Sequence, residues 1–420
     1  MLYTLIEIYR ILSNIHLLPR LFKRSHFCGH CFKHYTSLSH HILIYLHHKQ
    51  CSSYSSMKSY HLFLSFFLGG FFLLNSCQSK VPGLVSKPLA MGKINGMTLV
   101  VDDTTSSRKL VDTFETIFEA PYPVLPAVEP IFDVKVISYQ ELLGIKYMNE
   151  RRTFLLVANL SDTASQVTKM VRADLGDEKI KRAKSDTSFN LTFGLDKWAK
   201  GQLIIYVFGT DQKSIENALT MRFNTIAQKI NAHDYENLKS SVFGNGGENT
   251  EMESVILEKF GFNIQIPKLY VKAIEEDNFL WLRYDNKIVN QSIVIQKFPY
   301  KNESQWSVDS LIALRNRYGK KYITTGQPNA YMTTNTKDLP TLDYTYTHNG
   351  IFMREIRGIW ETENDFMGGP YVSYAVYNKP KGELIFIDTF VYAPGEDKRD
   401  LVQKLDCIVK TLSLPSLGGK

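Results

Sequence analysis

The chain has 420 residues, with 49 Lys and Arg against 42 Asp and Glu, and its formal net charge is +7. Its 44% hydrophobic and 22% charged residues are typical of a globular protein, which excludes global disorder, a collagen-like fibre and a multispanning membrane protein. The length favours two or three domains of about 100–200 residues each.

The positive charge lies at the start of the chain. Residues 1–56 carry six basic residues and one acid, and residues 57–76 add one Lys. Residues 77–420 carry 42 basic and 41 acidic residues. Nine of the 11 His and three of the five Cys also precede residue 62. Because the long remainder is nearly neutral, it lacks the basic excess of a nucleic-acid-binding domain, and we predict no nucleic-acid partner.

Residues 1–56 are predicted to be a non-native upstream leader, with Met57 as the true initiator. An export signal that starts at residue 57 should not work behind a basic leader of this length. The leader contains the motif CGHC at residues 28–31, which resembles a redox dithiol. It has no preceding β–α–β context and no second ligand pair at zinc-finger spacing, so we predict neither a redox nor a zinc site.

Residues 57–76 have the three-part layout of a secretory signal peptide. One positive charge precedes an apolar run at residues 62–74, and small residues follow it. The run is shorter than the ~20 residues that a transmembrane helix needs. Residues 74–77 (LNSC) resemble a bacterial lipobox, in which the thiol of Cys77 would accept a diacylglyceryl group and the freed amine a further acyl chain. An ordinary cleaved signal followed by a coincidental Cys is the alternative.

Residues 77–95 are predicted to be a tether behind the lipid. Position 78 is Gln, not the Asp that retains many lipoproteins in an inner membrane, and no acidic run follows. We therefore expect a membrane partner through the lipid at Cys77. The expected location is the cell envelope, at the outer membrane and facing the periplasm.

Residues 96–243 alternate between the periodicities of strands and helices, which predicts an N-terminal α/β domain. Strands are expected at residues 97–101, 131–137, 153–160 and 202–208. One helix is expected over residues 107–119, with Ser106 or Ser107 as its N-cap, and a long helix follows Asp211. Residues 244–247 (GNGG) read as a linker, since the strand and the Gly-Lys-Ser/Thr of a phosphate loop are missing.

Residues 250–414 are predicted to form a C-terminal α+β domain, a mostly antiparallel sheet with flanking helices, before a tail at 415–420. The whole mature chain is therefore assigned to the α+β class, as two α/β-layer domains. Helices are expected near residues 250–260, 308–318 and 397–412. Strands are expected at residues 261–267, 279–284, 292–298, 342–347, 352–360, 372–377 and 384–391.

Four short motifs carry a resemblance. Residues 277–283 (DNFLWLR), 357–360 (RGIW), 367–373 (MGGPYVS) and 390–394 (FVYAP) resemble, in this order, an uncharacterised lipoprotein family of Bacteroidota, domain of unknown function 4837. The resemblance covers roughly residues 96–414, and it implies no activity. The second half is also loosely similar to the Mog1/PsbP-type sandwich, which many binding and accessory modules share; a likeness of fold assigns no function.

Catalytic side chains are scarce. After the leader only His233 and His348 remain, and we interpret them as a solvated helix residue and a hairpin residue. Cys407 would have no disulfide partner and is expected to be a buried small hydrophobe. The acids at residues 361–365 are expected in an exposed loop. We therefore predict no catalytic residue, no metal site and no cofactor.

The motif Met367-Gly368-Gly369-Pro370 is the most specific local feature. Its first interpretation is a tight connection before a strand, because paired glycines allow close backbone approach and unusual torsion angles. The second is a ligand or partner surface, formed with the anchor-type residues Arg357, Trp360 and Tyr371.

The function expected from the sequence is a lipid-anchored binding or scaffolding module of the cell envelope. Its partner would be an unknown envelope protein or glycan. The alternative is an envelope hydrolase that uses carboxylates. A deep pocket with two buried acids of raised pKa would favour the hydrolase, and a shallow groove lined by Trp, Tyr and Arg would favour the binding module.

Overall fold

A computed structural model describes residues 86–105, 107–244 and 246–415. The predicted leader, the predicted signal peptide, Cys77 and nearly all of the predicted tail lie outside them. The described residues contain seven α-helices and thirteen strands, which confirms the α+β class. From Lys87 onward they belong to one compact unit. Within these ranges no helix is both long and apolar enough to cross a membrane.

The N-terminal lobe, residues 96–243, is built on a five-stranded sheet in the order β2-β1-β3-β5-β4. Four strands run parallel, and β4 is an antiparallel edge strand. The strands β3 and β5 are buried along almost their whole length, as expected for a sheet covered on both faces. The strand bounds are Gly96–Val101 (β1), Asp133–Ser138 (β2), Thr153–Asn159 (β3), Leu191–Leu195 (β4) and Leu203–Gly209 (β5).

Helices cover both faces of this sheet and give three layers. The four helices are Arg108–Phe118 (α1), Tyr139–Gly144 (α2), Gln166–Ser185 (α3) and Gln212–Phe243 (α4). Helices α1 and α4 pack on one face, and α2 and α3 pack on the other. Asp211 caps α4 as predicted, with its side chain accepting from the Ser214 N–H at 2.8 Å. Ser107 stands at the N-cap of α1 but makes no side-chain capping bond.

The C-terminal lobe, residues 246–415, is built on an antiparallel sheet in the order β10-β11-β12-β13-β8-β7-β6. The long strand β11 pairs with β10 along its first half and with β9 along its second half. The strand bounds are Val271–Glu276 (β6), Phe279–Asp285 (β7), Asn290–Pro299 (β8), Tyr331–Asn335 (β9), Leu342–His348 (β10), Ile351–Glu363 (β11), Gly368–Asn378 (β12) and Glu383–Tyr392 (β13).

Three helices cover the two faces of this sheet: Thr250–Phe260 (α5), Val308–Tyr322 (α6) and Arg399–Val409 (α7). Helices α5 and α7 pack on one face, and α6 packs on the other. Because side chains alternate along a strand, neighbouring residues of β11 to β13 enter different cores. The α6 face and the α7 face are therefore distinct environments.

The strand expected at residues 261–267 is wrong. This segment makes only isolated bridges, from Asn263 to Ser413 and from Pro267 to Glu248. Phe262, Ile264 and Ile266 nevertheless enter the core on the α7 face. The alternation of apolar and polar residues in this segment therefore reflects burial of every second side chain in the core. The segment itself does not join the sheet as a strand.

The two lobes share part of a hydrophobic core. Tyr122 and Leu125 lie in the connection between α1 and β2, yet both are buried in the C-terminal lobe on the α7 face. The contacts of this connection join the two lobes. The division of the chain into two domains stays a prediction.

A carboxylate of the N-terminal lobe also caps a helix of the C-terminal lobe. Glu129 accepts from the backbone N–H groups of Lys398 and Arg399 at 2.7 and 2.8 Å. These groups lie at the start of α7, where orphan N–H donors and the helix dipole favour a negative charge. The Arg399 side chain returns to the first lobe and binds Asp133 at 2.8 Å. The first turn of α7 is thus held from both lobes.

Candidate functional site

The residues predicted to form a partner surface do not share one exposed face. Arg357 and Trp360 are each 3% exposed, and Tyr371 is 1% exposed. Three positions separate Arg357 from Trp360 along β11, so their side chains point to opposite faces of the sheet. Arg357 reaches α7. Trp360 lies in the core on the α6 face. Arg357 and Trp360 therefore lie on opposite sides of the sheet.

The paired glycines belong to strand β12, where they allow close packing. A Cβ on Gly369 would lie 2.0 Å from the carbonyl oxygen of Val391. The same carbonyl accepts from Trp360 Nε1 at 3.2 Å. Gly368 opens the strand and, like Met367, is partly buried. Packing against β11 and β13 therefore explains why glycine stands at position 369.

Arg357 is the centre of a buried ionic cluster on the α7 face. Its guanidinium donates to Glu355 at 2.5 Å, to Asp406 at 2.7 Å and to the Tyr122 hydroxyl at 3.3 Å. The Tyr374 hydroxyl donates to Asp406 at 2.5 Å. The cluster joins β11, β12, α7 and the connection from the N-terminal lobe.

The electrostatics of this cluster keep Arg357 charged. Burial alone would lower its pKa, but the carboxylates of Asp406 and Glu355 outweigh burial, and the pKa of Arg357 lies well above its ordinary value. Burial and the Asp406 carboxylate raise the pKa of Tyr374 well above its ordinary value. The Tyr374 hydroxyl therefore stays protonated and donates to the Asp406 carboxylate, whereas the Tyr122 hydroxyl accepts from Arg357.

A second buried ion pair lies on the α6 face. Arg315 binds Asp388 at 3.2 Å, and both side chains are fully buried. Tyr318 and Ser373 donate to the same carboxylate, and the Arg315 guanidinium lies 3.9 Å from the centre of the Tyr371 ring. Burial raises the pKa of Asp388, although the charge of Arg315 and the two hydroxyls oppose this rise. Tyr318 also borders the cleft described next.

An open cleft of about 360 Å³ lies between α6 and the two-residue turn that joins β6 to β7, with β8 at its floor. We call it the α6 cleft. Four aromatic side chains line it, from β7, β8 and α6: Phe279, Phe298, Tyr318 and Tyr322. The Phe279 and Tyr322 rings stack with their centres 4.1 Å apart. A volume of this size matches the lower range of small-ligand pockets.

The floor of the α6 cleft carries an unpartnered donor. Gln296 is 6% exposed and lines the cleft, and its Nε2 has no hydrogen-bond partner in the described structure. A buried amide group without a partner costs about 1–3 kcal/mol. The Trp281 Nε1, on the same face of the neighbouring strand, is also buried without a partner. An unpaired buried donor is uncommon in a folded protein, and a bound water or ligand that accepts from it would account for it.

The rim of the α6 cleft carries charges of both signs. Glu276 accepts from Tyr322 at 2.5 Å and from Lys321 at 3.3 Å. The hydrogen bond from Tyr322 is the main cause that lowers the pKa of Glu276. Arg317 and Asp277 are exposed, and neither side chain makes a hydrogen bond or an ion pair with a described residue. One cation and one anion of the rim are therefore available to a ligand.

The other sequence candidates lie away from this cleft. His233 is mostly buried within α4, not solvated as expected. His348 ends β10 at the hairpin and contacts the Lys410 carbonyl at 2.7 Å. Cys407 is buried, and burial raises its pKa to about 11. Among the described residues, no group of His, Cys, Asp and Glu could hold a metal ion.

The sequence contained part of the signal for the α6 cleft. Asp277, Asn278 and Phe279 begin the DNFLWLR motif, although nothing in the motif indicated a cleft. Gln296 interrupts the apolar run SIVIQKF of a buried strand, which is a recognisable anomaly. Arg317 carries no such signal, because a basic residue on a helix surface is ordinary.

Two family models match the chain, and both describe domains of unknown function. Residues 249–411 match DUF4837, and residues 90–243 match DUF8532. No curated protein matches. Among solved structures, the chain is similar to the Ran-binding protein Mog1p of Saccharomyces cerevisiae and to a mutant of protein Mog1.

The likeness to Mog1 is distant. Each of the two proteins is 10% identical in sequence to this chain. Each match covers 37% of this chain and 90% of the Mog1 chain, with TM-scores of 0.26 and 0.25. At these scores the likeness carries no argument about function.

Proposed function

We propose that this chain, whose residues 249–411 match DUF4837, is a lipid-anchored binding module of the cell envelope and that the α6 cleft is its binding site. The lipid would be attached at Cys77. The module would face the periplasm from the outer membrane. Its ligand would be part of an envelope glycan, which is one of the two partner classes that the sequence suggests.

Gln296 is the observation that carries this proposal. Its side chain lines a cleft with aromatic walls, and its buried Nε2 has no hydrogen-bond partner among the described residues. An occupant that supplies an acceptor oxygen would remove the cost of leaving that donor unpaired. A few placed polar groups among apolar and aromatic side chains are the usual composition of a small-ligand site.

The alternative, a carboxylate hydrolase, has weaker support. A general acid at neutral pH needs a raised pKa, whereas the hydrogen bond from Tyr322 lowers the pKa of Glu276. Asp388 does have a raised pKa, but it is fully buried and bound by Arg315, Tyr318 and Ser373. The lowered pKa of Glu276 and the complete burial of Asp388 therefore do not favour a general acid in this cleft.

Calorimetric titration of the detergent-solubilised full chain tests the binding site. The probes are neutral, carboxylated and phosphorylated methyl glycosides, together with N-acetylated amino acids. We expect at least one probe to bind, and Gln296→Met to weaken that binding about tenfold or more, because a buried polar contact is lost. Gln327→Met, at an exposed loop position, should bind as the wild type does. If no probe binds, or if Gln296→Met binds equally well, the proposal is wrong.

Metabolic labelling with a fatty acid tests the anchor separately. Label and membrane fractionation should both be lost in Cys77→Ala, because the thiol that accepts the lipid is absent. Cys407→Ala removes a buried thiol of the folded part and should keep the label. Label retained in Cys77→Ala would contradict the anchor but would leave the binding site untouched.

A further inference from the structure

We infer that the α6 cleft recognises a saccharide ring that carries a single carboxylate, as in a uronic acid residue. This inference rests on the proposed function and adds the chemical class of the ligand. It is drawn from the free guanidinium, the charge balance of the rim and the aromatic lining of the cleft.

The carboxylate is assigned to Arg317. Leu314, Arg317, Tyr318, Lys321 and Tyr322 follow the 3–4 spacing of one helix face, which places the guanidinium along the cleft. No described residue forms a hydrogen bond or an ion pair with the Arg317 side chain. The guanidinium presents parallel donors that match the two oxygens of a carboxylate.

The charge of the rim favours one negative charge over two. Glu276 and Asp277 oppose Lys321 and Arg317 along the lining, so the ionised groups sum to zero. Lys321 is already engaged by Glu276 and the Tyr322 hydroxyl. A phosphate dianion would meet one free cation and a nearby free carboxylate, Asp277. A monoanionic carboxylate needs only Arg317.

The ring is assigned to the aromatic lining. A pyranose has an apolar C–H face and a rim of hydroxyl groups, so one face can pack on aromatic side chains while the rim forms hydrogen bonds. The α6 cleft offers Phe298 and Tyr322, both partly exposed, and the Gln296 Nε2 donor at its floor. A hydroxyl or ring oxygen would accept from that amide. Asp277 and Asn278 at the turn can bind further hydroxyl groups.

The test compares two glycosides that differ at one carbon. Methyl β-glucuronide carries a carboxylate where methyl β-glucoside carries a hydroxymethyl group. On the full chain in detergent, the glucuronide should bind about tenfold tighter in calorimetric titration, because only it forms the charge-assisted pair. Arg317→Gln should reduce glucuronide binding to the level of the glucoside. Lys320→Gln, which removes a positive charge from the same helix outside the lining, should keep the difference.

Several outcomes would overturn the inference and leave the α6 cleft standing as a binding site. Equal binding of the two glycosides, with Gln296→Met weakening both, would remove the carboxylate assignment. Tighter binding of methyl glucoside 6-phosphate would remove the preference for a monoanion. Binding of N-acetylphenylalanine but of no glycoside would replace the saccharide by a peptide-type ligand. Full glucuronide binding by Arg317→Gln would show that this residue is not the contact.

Discussion

Arg357 and Arg315 hold buried charges on opposite faces of the same sheet. The sequence does not single out Arg357, because its strand β11 also carries Arg354 and Glu355. It does show that an odd number of positions separates Arg357 from Trp360, which places their side chains on opposite faces of a strand. This alternation of side chains along a strand could therefore have excluded a surface that contains both Arg357 and Trp360. The partners of Arg357 could not be predicted, because Tyr122 lies 235 positions away and Asp406 lies 49 positions away.

Replacing Arg357 by Met should destabilise the fold by about 3–5 kcal/mol. The substitution removes the guanidinium that Glu355 and Asp406 share, and both buried carboxylates lose the ion pair that it provides. Denaturant unfolding followed by circular dichroism measures the change. Arg108→Met removes an exposed ion pair and should cost at most about 1 kcal/mol. Equal, small effects of the two substitutions would contradict a structural role for the buried cluster.

At the scale of elements, strong periodicity was the reliable signal. Helices α1, α4, α5, α6 and α7 lie close to where their apolar spacing predicts them. No helix is predicted at the position of α3. Gly176 adopts φ 74° inside this helix and shifts the apolar stripe between Leu175 and Ile180, so the helical periodicity is interrupted. Periodicity also misled at residues 261–267, since alternation reports burial and not strand pairing.

Gly369→Ala should destabilise the fold by about 1–3 kcal/mol. A methyl group 2.0 Å from the Val391 carbonyl must push β12 and β13 apart or distort the Trp360 contact. The control is Gly326→Ala, where a Cβ would meet no atom within 4 Å, and it should stay within about 0.5 kcal/mol of wild type. Thermal unfolding compares the two. If Gly369→Ala unfolds at the same temperature as the wild type, close packing against Val391 does not require glycine at this position.

At the scale of the whole molecule, the connection between α1 and β2 joins the two lobes through its side chains, in addition to the predicted linker at residues 244–247. It inserts Tyr122 and Leu125 into the C-terminal lobe and supplies Glu129 to α7. The alternation of elements in the first half and the antiparallel strands of the second could be predicted from local patterns. The contacts between lobes could not, because they join residues about 270 positions apart.

Glu129→Ala should cost about 1–2 kcal/mol, the effect of losing a helix cap, because two N–H donors of α7 lose their partner. Hydrogen exchange should show faster exchange at the start of α7, while the far strands of the N-terminal lobe remain protected. Glu178→Ala, at an exposed position of α3, should leave both the stability and the exchange of α7 unchanged. Unaltered protection of α7 in Glu129→Ala would show that the lobes do not depend on this contact.

The most direct test of the central claim is a crystal structure of the chain with methyl β-glucuronide. We expect the sugar ring in the α6 cleft against Tyr322, its carboxylate on Arg317 and one of its oxygens within hydrogen-bond distance of Gln296 Nε2. A ligand bound on another face of the molecule, or an α6 cleft filled only by water at saturating glucuronide, would contradict the account.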